Sequence, residues 1–547
     1  MKKFLSLFAL CLLIGIGVAK AQNQKVAVLE CFTSSTCGPC ASANPSLDNL
    51  INNNPDKLIA IKYHVNWPSP GNDPMYLANP SDVSSKVSYY SINSVPWSVG
   101  DGTWLGNSSS VNQNLVNQWT SVESPVEMRM THYLNDTQDT ITVIVMGRAT
   151  SAIASENLRL RIAVLEKTME YSSAPGTNGE RIFHNVMKKM LPTPVGSSVP
   201  AMQVGDYFAF KYTWALANVM NVNELTAVAW LQDHNTKQMY QGCKSSDDFQ
   251  PYYAKQAQIT GIAHTKKHIC SGNVEPDVFI DNLGSENINS LKLNITVNGN
   301  AVTQVTWQGN VPFGKSVNIP LGELNFDVAE NNEMLIEVAE INGAADDYAP
   351  SVYSYTFNGT TSVSNNSFKL TIRTDDEPQF ITWDIKNTST GEVVVSGGPY
   401  EEPHKMYNTN FDLEHSGCYM FTIYDAGGNG LAGENGIYGL KSGNTTILTG
   451  SDFTDKESDE FSLAIDDIAE YSANTATIYP NPTNGMLTIE TENSGLVEIF
   501  NMAGQKVLDK SIEGTTVLDM SGFDKGTYLF VVTDEKGNSS RQIVVLQ

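Results

Sequence analysis

Residues 25–45 read KVAVLECFTSSTCGPCASANP, and this stretch decides how the N-terminal part of the chain is interpreted. The β-branched, apolar run up to Phe32 is typical of a buried strand. Cys37 and Cys40 follow within a few residues, in a Cys-Gly-Pro-Cys motif that opens a predicted helix. The free N–H groups at a helix N-terminus favour an anion, so a thiolate at Cys37 would be stabilised there. The spacing predicts a redox pair in which Cys37 attacks a partner sulfur and Cys40 resolves the mixed disulfide.

A lone Cys-x-x-Cys motif can also be half of a zinc site or a static bridge. Zinc would need two further ligands, and the candidates are His264, His268 and Cys270, more than two hundred residues downstream. We therefore predict no metal at the cysteine pair.

Two further landmarks follow the motif in order. Pro45 lies five residues after the second cysteine, and residues 90–96 read YSINSVP. The three landmarks together resemble thioredoxins. The resemblance implies a small α/β domain whose only redox group is the disulfide, with no cofactor. It also implies that the Val95–Pro96 bond is cis and faces the disulfide, and that Val95 and Trp97 contact a client chain; such a bond is plausible only before proline.

The sequence departs from the thioredoxin pattern at two positions. Thr36 stands where the family carries a tryptophan, and Cys31 stands where the family places a buried acid. The neighbouring acid, Glu30, should point to the opposite face because side chains alternate along a strand. Two roles stay open for Cys31: a third redox sulfur, or a small residue of the core.

Length and charge limit the classes of partner. A chain of 547 residues should form several domains. It has 34 Lys and Arg against 59 Asp and Glu, a formal net charge of −25. Phosphate groups are bound by clustered cations, so this balance argues against nucleic acid and anionic membrane surfaces as partners.

Residues 1–21 have the features of a secretory signal peptide: two lysines, an apolar run and an A-x-A cleavage site. We predict no membrane-spanning segment in the mature chain. Cys11 leaves with the signal, and six cysteines remain in an oxidising compartment. Cys243 and Cys270 are the nearest unassigned pair, so a bridge is expected there first, although spacing does not fix connectivity.

The predicted fold class is multidomain: an α/β thioredoxin-like domain followed by four mostly-β domains of β-sandwich or immunoglobulin-like type. Residues 183–192 and 229–241 resemble the Omp28-related proteins of Bacteroidetes, which implies a thioredoxin-like part joined to a β-sandwich. His184 could act as a base there, but no nucleophile motif accompanies it, so a structural hydrogen bond is favoured. The predicted domains are 22–121 (thioredoxin-like), 122–252 (Omp28-like sandwich), 253–360 (immunoglobulin-like), 361–466 (β-sandwich surface module) and 467–547.

The segment around Asp425 and Asn429 resembles part of a calcium loop, in which oxygen ligands alternate and glycine permits the turn. Gly427 replaces the middle ligand, and the twelfth position is Gly436 rather than an acid. A tight hairpin is therefore favoured, and calcium is the alternative.

Residues 467–547 resemble the C-terminal sorting domain of the type IX secretion system, on the motifs IYPNPTNG, VEIFNMAGQKV and GTYLFVV. The resemblance implies a β-sandwich that the secretion machinery recognises, and delivery to the outer-membrane surface or the medium.

Two functions follow from the sequence as a whole. One is exchange with protein thiols and disulfides outside the cytoplasm, in a direction left open; the other is a non-catalytic surface binding or adhesion protein in which Cys37–Cys40 is structural. The sequence contains no H-E-x-x-H or comparable cluster, so it does not indicate a metal-dependent hydrolase.

Overall fold

The computed structural model describes residues 23–270, 272–360, 362–431, 436–465, 476–491, 494–534 and 539–547. The predicted signal peptide, residues 1–21, lies outside the described residues. The chain divides into two compact units. The first contains the residues up to Thr265, with Asn273–Phe326 and Glu333–Tyr355; the second contains Lys266–Gly272, Asp327–Asn332 and Thr356–Gln547.

The first hundred described residues alternate strands and helices, and the first three helices have a proline at the start of their first turn. Two of the helices, Pro74–Ala78 and Pro80–Tyr90, begin at prolines, which fit the first helical position. The elements are β1 (Ala27–Thr33), α1 (Gly38–Asn52), β2 (Leu58–His64), α2 (Pro74–Ala78), α3 (Pro80–Tyr90), β3 (Trp97–Gly100), β4 (Trp104–Asn107) and α4 (Gln113–Trp119).

The next part of the first unit is built of strands. They are β5 (Val126–Leu134), β6 (Thr140–Ala149), β7 (Leu158–Glu170), β8 (Ile182–Leu191), β9 (Ser197–Val199), β10 (Tyr207–Ala215), β11 (Leu225–Asp233) and β12 (Met239–Lys244). One large sheet has the order β12-β11-β7-β8-β2-β1-β3-β4, with β9 alongside β7. A separate three-stranded sheet has the order β10-β6-β5.

The large sheet crosses the predicted domain boundary at residue 121, because it contains strands from both sides of that boundary. β8 pairs in parallel with β2, at Lys62 and Val186. The edge of β2 needs a backbone partner, and the residues after 121 supply it. One sequence signal of this arrangement lies in β7, where residues 162–165 read IAVL. Such a continuous apolar run is typical of a strand covered on both faces rather than of a half-exposed sandwich strand.

The two faces of this sheet bury different cores. On one face of β7 and β11, alternate residues pack against the β10-β6-β5 sheet, as Ile162 and Ala229 do. On the opposite face, Ala163 and Trp230 join the core that includes Phe32, Tyr63 and the α3 residue Tyr90. A third core lies between β1 and the helices α1 and α4.

Further strands follow β12, and β17 pairs antiparallel with both β18 and β21. The immunoglobulin-like assignment of residues 253–360 stays a prediction. The strands are β13 (Ala257–Ala263), β14 (His268–Ile269), β15 (Asn273–Val274), β16 (Asp277–Asn282), β17 (Ile288–Val297), β18 (Asn300–Val311), β19 (Ser316–Pro320), β20 (Leu324–Asn325), β21 (Asn331–Ile341) and β22 (Val352–Gly359).

The second unit contains two pairs of sheets. The first pair has the orders β23-β31-β28-β25-β26 and β27-β24-β29-β30 around one core. Its strands are β23 (Ser362–Val363), β24 (Ser367–Arg373), β25 (Ile381–Asn387), β26 (Val393–Gly397), β27 (Met406–Asp412), β28 (Gly417–Asp425), β29 (Ile437–Ser442), β30 (Thr445–Gly450) and β31 (Lys456–Leu463).

The second pair of sheets has the orders β32-β33-β36 and β35-β34-β37-β38, again around one core. Its strands are β32 (Ala476–Tyr479), β33 (Met486–Thr491), β34 (Gly495–Asn501), β35 (Lys506–Ile512), β36 (Thr515–Asp519), β37 (Gly526–Asp534) and β38 (Ser539–Leu546). In the described part of the chain, no helix combines the length and the apolar character needed to cross a membrane.

Candidate functional site

Cys37 and Cys40 lie at the start of α1, directly after the turn that follows β1. They form a disulfide with Cα atoms 5.2 Å apart. Cys37 is the N-cap residue of α1, and its Sγ accepts the N–H of Cys40 at 3.1 Å. Pro45 lies within the helix. The N–H of Cys40, which also donates to Cys37 O, is thus directed at the sulfur of Cys37 from the first turn of α1, the arrangement that stabilises a thiolate.

Pro96 directly precedes β3, and the Val95–Pro96 bond is cis. β3 pairs antiparallel with β1, with Trp97 opposite Phe32. The proline is therefore at the edge of the sheet where β1 leads into the Cys37 turn. Val95 and Trp97 are both half-buried and pack against the core that contains Phe32. Their roles toward a client chain stay predictions.

Both sulfurs of the pair are covered. Cys37 is 1% exposed and Cys40 is 0% exposed, while Gly38 and Pro39 between them are exposed. The residues before the pair, from Thr33 to Thr36, are buried too. A sulfur with this exposure cannot meet another protein until the residues that cover it move.

A buried acid holds the turn before Cys37. Asp73 Oδ2 accepts the N–H of Ser35 at 2.7 Å and lies 2.9 Å from His64 Nδ1. Its Oδ1 accepts the N–H groups of Met75 and Tyr76, so the same carboxylate caps α2. Burial opposes the charge, but His64 and the N–H groups outweigh burial and lower the pKa of Asp73 to about 2. The sequence carries a local signal for this capping role, because an Asp directly before a Pro fits the N-cap of a helix that begins with proline.

Cys31 and Glu30 point to opposite faces of β1, as the alternation predicted. Cys31 is buried under α1 with Leu47, and burial raises the pKa of its thiol to about 12. This environment favours the core role over a third redox sulfur, because the thiol stays protonated at neutral pH.

Glu30 belongs to a buried polar network that the sequence analysis missed. It forms an ion pair with Lys86 at 2.6 Å and accepts hydrogen bonds from Tyr63 at 2.9 Å and Tyr90 at 2.5 Å. Burial lowers the pKa of Lys86 to about 8, against the opposing effect of Glu30. All four side chains are buried within the sheet–α3 core. Glu30 is thus committed to a structural network on the face away from α1.

The predicted bridge between Cys243 and Cys270 is wrong. Cys270 is bonded to Cys418, and Cys31 and Cys243 are free. Cys270 lies in the short segment that belongs to the second unit, where its N–H donates to Glu460 Oε2 at 2.8 Å. Nearness in sequence did not predict the pairing, because Cys243 and Cys270 belong to different compact units.

The zinc candidates have other partners. Cys37, Cys40 and Cys270 are all in disulfides, and His268 Nδ1 lies 2.8 Å from Asp459. Among the described residues, the one cluster with metal-ligand geometry is Cys270, Cys418 and Glu460, and both of its sulfurs are bonded to each other.

Asp425 closes its own loop. Its Oδ1 accepts the N–H of Gly427, and its Oδ2 accepts the N–H groups of Asn429 and Gly430, each at 2.8 Å. This is the geometry of the tight hairpin, and a calcium ion would have to compete for the same oxygens; calcium at Asp425 and Asn429 stays a prediction. His184, the other single candidate, lies on β8 with Nδ1 3.3 Å from Thr168 Oγ1.

Comparison with known proteins gives one specific match. Residues 477–546 match the family described as "Secretion system C-terminal sorting domain". These residues form the sheets of β32 to β38. No curated protein matches the chain.

Several solved structures are similar at low identity. HBP35 of Porphyromonas gingivalis is 13% identical, with 62% of this chain and 99% of that chain covered and a TM-score of 0.35. A structural genomics target from Agrobacterium tumefaciens is 14% identical, with 42% and 98% covered and a TM-score of 0.30. Dimeric latent PorU from Porphyromonas gingivalis is 12% identical, with 56% and 35% covered and a TM-score of 0.12. TM-scores this low establish neither a shared fold nor a shared activity. The sorting domain at residues 477–546 identifies the chain as a protein exported by the type IX secretion machinery, to the cell surface or the medium.

Proposed function

We propose that this exported protein exchanges disulfides with other proteins through Cys37 and Cys40, on a thioredoxin-like, Omp28-related N-terminal part. The observation that supports the proposal is the position of the pair: a disulfide at the N-terminus of α1, with a cis proline at the same edge of the sheet. The helix N-terminus favours the thiolate form of Cys37, which is the nucleophile of exchange.

The exchange proceeds in two balanced steps. In the reduced protein, the Cys37 thiolate attacks one sulfur of a client disulfide, and the other client sulfur leaves as a thiolate. The Cys40 thiolate then attacks Cys37, which releases the second client thiolate and forms the Cys37–Cys40 disulfide. The client gains two electrons, and the pair loses two. In the opposite direction a client thiolate attacks the oxidised pair, and the same steps run backwards.

Pro96 and its neighbours are the proposed docking edge. The thioredoxin resemblance assigns the Val95 main chain to pairing with an extended client segment, and Trp97 to contact beside it. Because Pro96 has no N–H, it cannot itself donate to the client, and it fixes the backbone that does the pairing.

The experiment compares mature wild-type protein with Cys37→Ser in the reduction of insulin disulfides by dithiothreitol. Wild type should accelerate insulin precipitation, whereas Cys37→Ser should match the uncatalysed rate. Cys243→Ser is the matched control, since it removes a cysteine that lies outside the pair, and it should retain wild-type turnover. Equal rates of insulin precipitation for wild type and Cys37→Ser would contradict the proposal. Cys40→Ser should accumulate mixed disulfides with clients on intact cells, because the resolving thiol is missing.

A second candidate function is a non-catalytic surface binding protein with a structural Cys37–Cys40 bridge. The observation that favours it is the exposure of the sulfurs, 1% and 0%. The reduction potential separates the two candidates. A value below about −300 mV is typical of structural disulfides and would favour the binding protein, whereas a value between about −270 and −120 mV is typical of exchange proteins.

A further inference from the structure

Residues 176–180, which we call the strap, lie in the connection between β7 and β8 and cover the turn that leads to Cys37. The N–H of Asn178 donates to Ser35 O at 3.0 Å. Its side-chain amide donates to Ser34 O at 3.1 Å and to Cys37 O at 3.3 Å. One asparagine thus contacts three carbonyl groups of a single turn, the turn that positions the disulfide.

The approach of the strap to the turn is close enough to require glycine. A Cβ atom at Gly176 would lie 2.2 Å from Ser35 O and 2.6 Å from Ser35 Oγ. No side chain larger than hydrogen fits at this separation without movement of one backbone. The contact between the strap and the turn is therefore a main-chain contact, with no intervening side chain.

A second hydrogen-bond chain ties the strap to α1. Glu180 Oε2 accepts the Asn178 amide at 2.5 Å, and Glu180 Oε1 accepts the Asn44 amide at 2.7 Å. Asn44 is on the buried face of α1, one turn after Cys40. The strap is thus attached on both sides of the disulfide, to the turn before it and to the helix after it.

The attachment is polar throughout. Residues 176–180 include no large apolar side chain, and Thr177 and Gly179 are exposed. Hydrogen bonds of this kind exchange with water at small net cost, unlike the burial of an apolar anchor. Local opening of the strap therefore does not require the unfolding of β7, β8 or α1.

We propose that the strap is a lid on the Cys37–Cys40 site, and that it must leave the Ser34–Cys37 turn before a client sulfur can reach Cys37. The inference rests on the proposed function and names its regulation. Opening removes the Asn178 hydrogen bonds from the carbonyl groups of Ser34, Ser35 and Cys37, of which the first and last still accept backbone N–H groups of the turn and of α1. An extended client segment can then supply the N–H donors that Asn178 supplies in the closed form, so client binding and lid displacement are coupled.

The test measures the alkylation rate of Cys37 by iodoacetamide in full-length Cys40→Ser protein after reduction, with peptide mass spectrometry to locate the label. Asn178→Ala removes the side-chain amide that bridges the turn and Glu180, and Gly176→Ala forces the backbones apart. Each should raise the Cys37 alkylation rate about tenfold, the change expected when the closed form loses one or two hydrogen bonds. Asn54→Ala is the matched control, because Asn54 also donates to a main-chain carbonyl, Leu50 O at 2.8 Å, near the far end of α1. It should leave the rate unchanged.

Cys31 provides an internal measure of unfolding, since it is buried under the same helix. Faster labelling of Cys37 with Cys31 still unlabelled supports the lid. Wild-type labelling rates in both strap variants would overturn it, as would labelling of Cys37 that always accompanies labelling of Cys31. Insulin turnover, measured on the strap variants with Cys40 intact, tests the proposed function separately. Faster Cys37 alkylation without insulin turnover would support the lid and contradict the proposed exchange activity. Insulin turnover with unchanged Cys37 alkylation would support the exchange activity and contradict the lid.

Discussion

The two disulfides of this protein differ in what they enclose. Cys37–Cys40 joins residues separated by three positions within one helical turn, whereas Cys270–Cys418 joins residues separated by 148. The first restricts the unfolded chain much less than the second, which closes a loop of more than a quarter of the sequence. The short bridge is suited to opening and closing with little effect on the fold, and the long bridge is suited to holding the fold.

The long bridge attaches a short segment to the second unit, whereas the residues that flank this segment in sequence belong to the first unit. Lys266–Gly272 belongs to the second unit, although the residues on both sides of it belong to the first. Within the second unit, Cys270 is held by its bond to Cys418, by Glu460 at its N–H, and by Thr360 Oγ1, 3.5 Å from its sulfur. The cysteine motif visible in the sequence and the cysteine pair that stabilises the fold are therefore different pairs.

Removal of the long bridge should have the largest effect on stability. We expect Cys270→Ala/Cys418→Ala to lower the free energy of unfolding of the second unit by about 5 kcal/mol, from the chain entropy of the closed loop. The urea dependence of hydrogen exchange in peptides from β28 measures that value for this unit alone. The matched variant, Cys37→Ala/Cys40→Ala, should cost about 2 kcal/mol in peptides from β1. Equal losses for the two pairs would contradict the comparison.

Asp73 should have an intermediate effect, confined to the surroundings of the short bridge. Its pKa is lowered to about 2, from an unfolded value near 3.8. The carboxylate therefore contributes about 2 kcal/mol of stability that is present above pH 5 and is lost as the pH falls through 3.8 toward 2. Asp73→Asn should lose this contribution at neutral pH and show a flatter stability profile between pH 5 and 2.

Hydrogen exchange of peptides from β1 at pH 7 and at pH 3 measures the difference. Asp56→Asn is the control, because the Asp56 side chain is 93% exposed and should change neither value. An undiminished acid dependence in Asp73→Asn would show that other carboxylates produce it.

The free thiols should have the smallest effect. Burial raises the pKa of both Cys31 and Cys243 to about 12. At pH 8 their thiolate fractions, and so their alkylation rates, should be about a thousandfold below those of an ordinary thiol. Cys243→Ser should change the free energy of unfolding by about 0.5 kcal/mol or less. Mass spectrometry after iodoacetamide treatment should find both thiols unlabelled in the native protein and labelled in urea. Rapid labelling of either thiol in the native protein would contradict this prediction.

The features that could be predicted from the sequence are those that depend on residues close together in the chain. The strand, turn and helix around Cys37 follow from neighbouring residues, because each depends on a few adjacent positions. The cis bond before Pro96 was expected only from the resemblance to thioredoxins. The sorting domain was recognisable for the same reason, since its motifs are short and contiguous. Glu30 was placed on the correct face by strand alternation alone.

Long-range partners were beyond that reasoning. The strap lies some 140 residues from the turn it covers, and Asn178 has no sequence feature that marks a contact with Ser34 or Cys37. Cys418 could not be assigned to Cys270 because four unpaired cysteines allow several connectivities. The shared sheet was missed because β8 pairs with β2 across the predicted domain boundary.

The pairing of β8 with β2 has a consequence for any attempt to isolate the redox region. A fragment that stops at residue 121 would expose the backbone donors and acceptors of β2 along an entire edge, and such an edge recruits strands from other molecules. The shortest soluble piece of this protein should therefore extend at least to Lys244, the last residue of the outermost strand on that side.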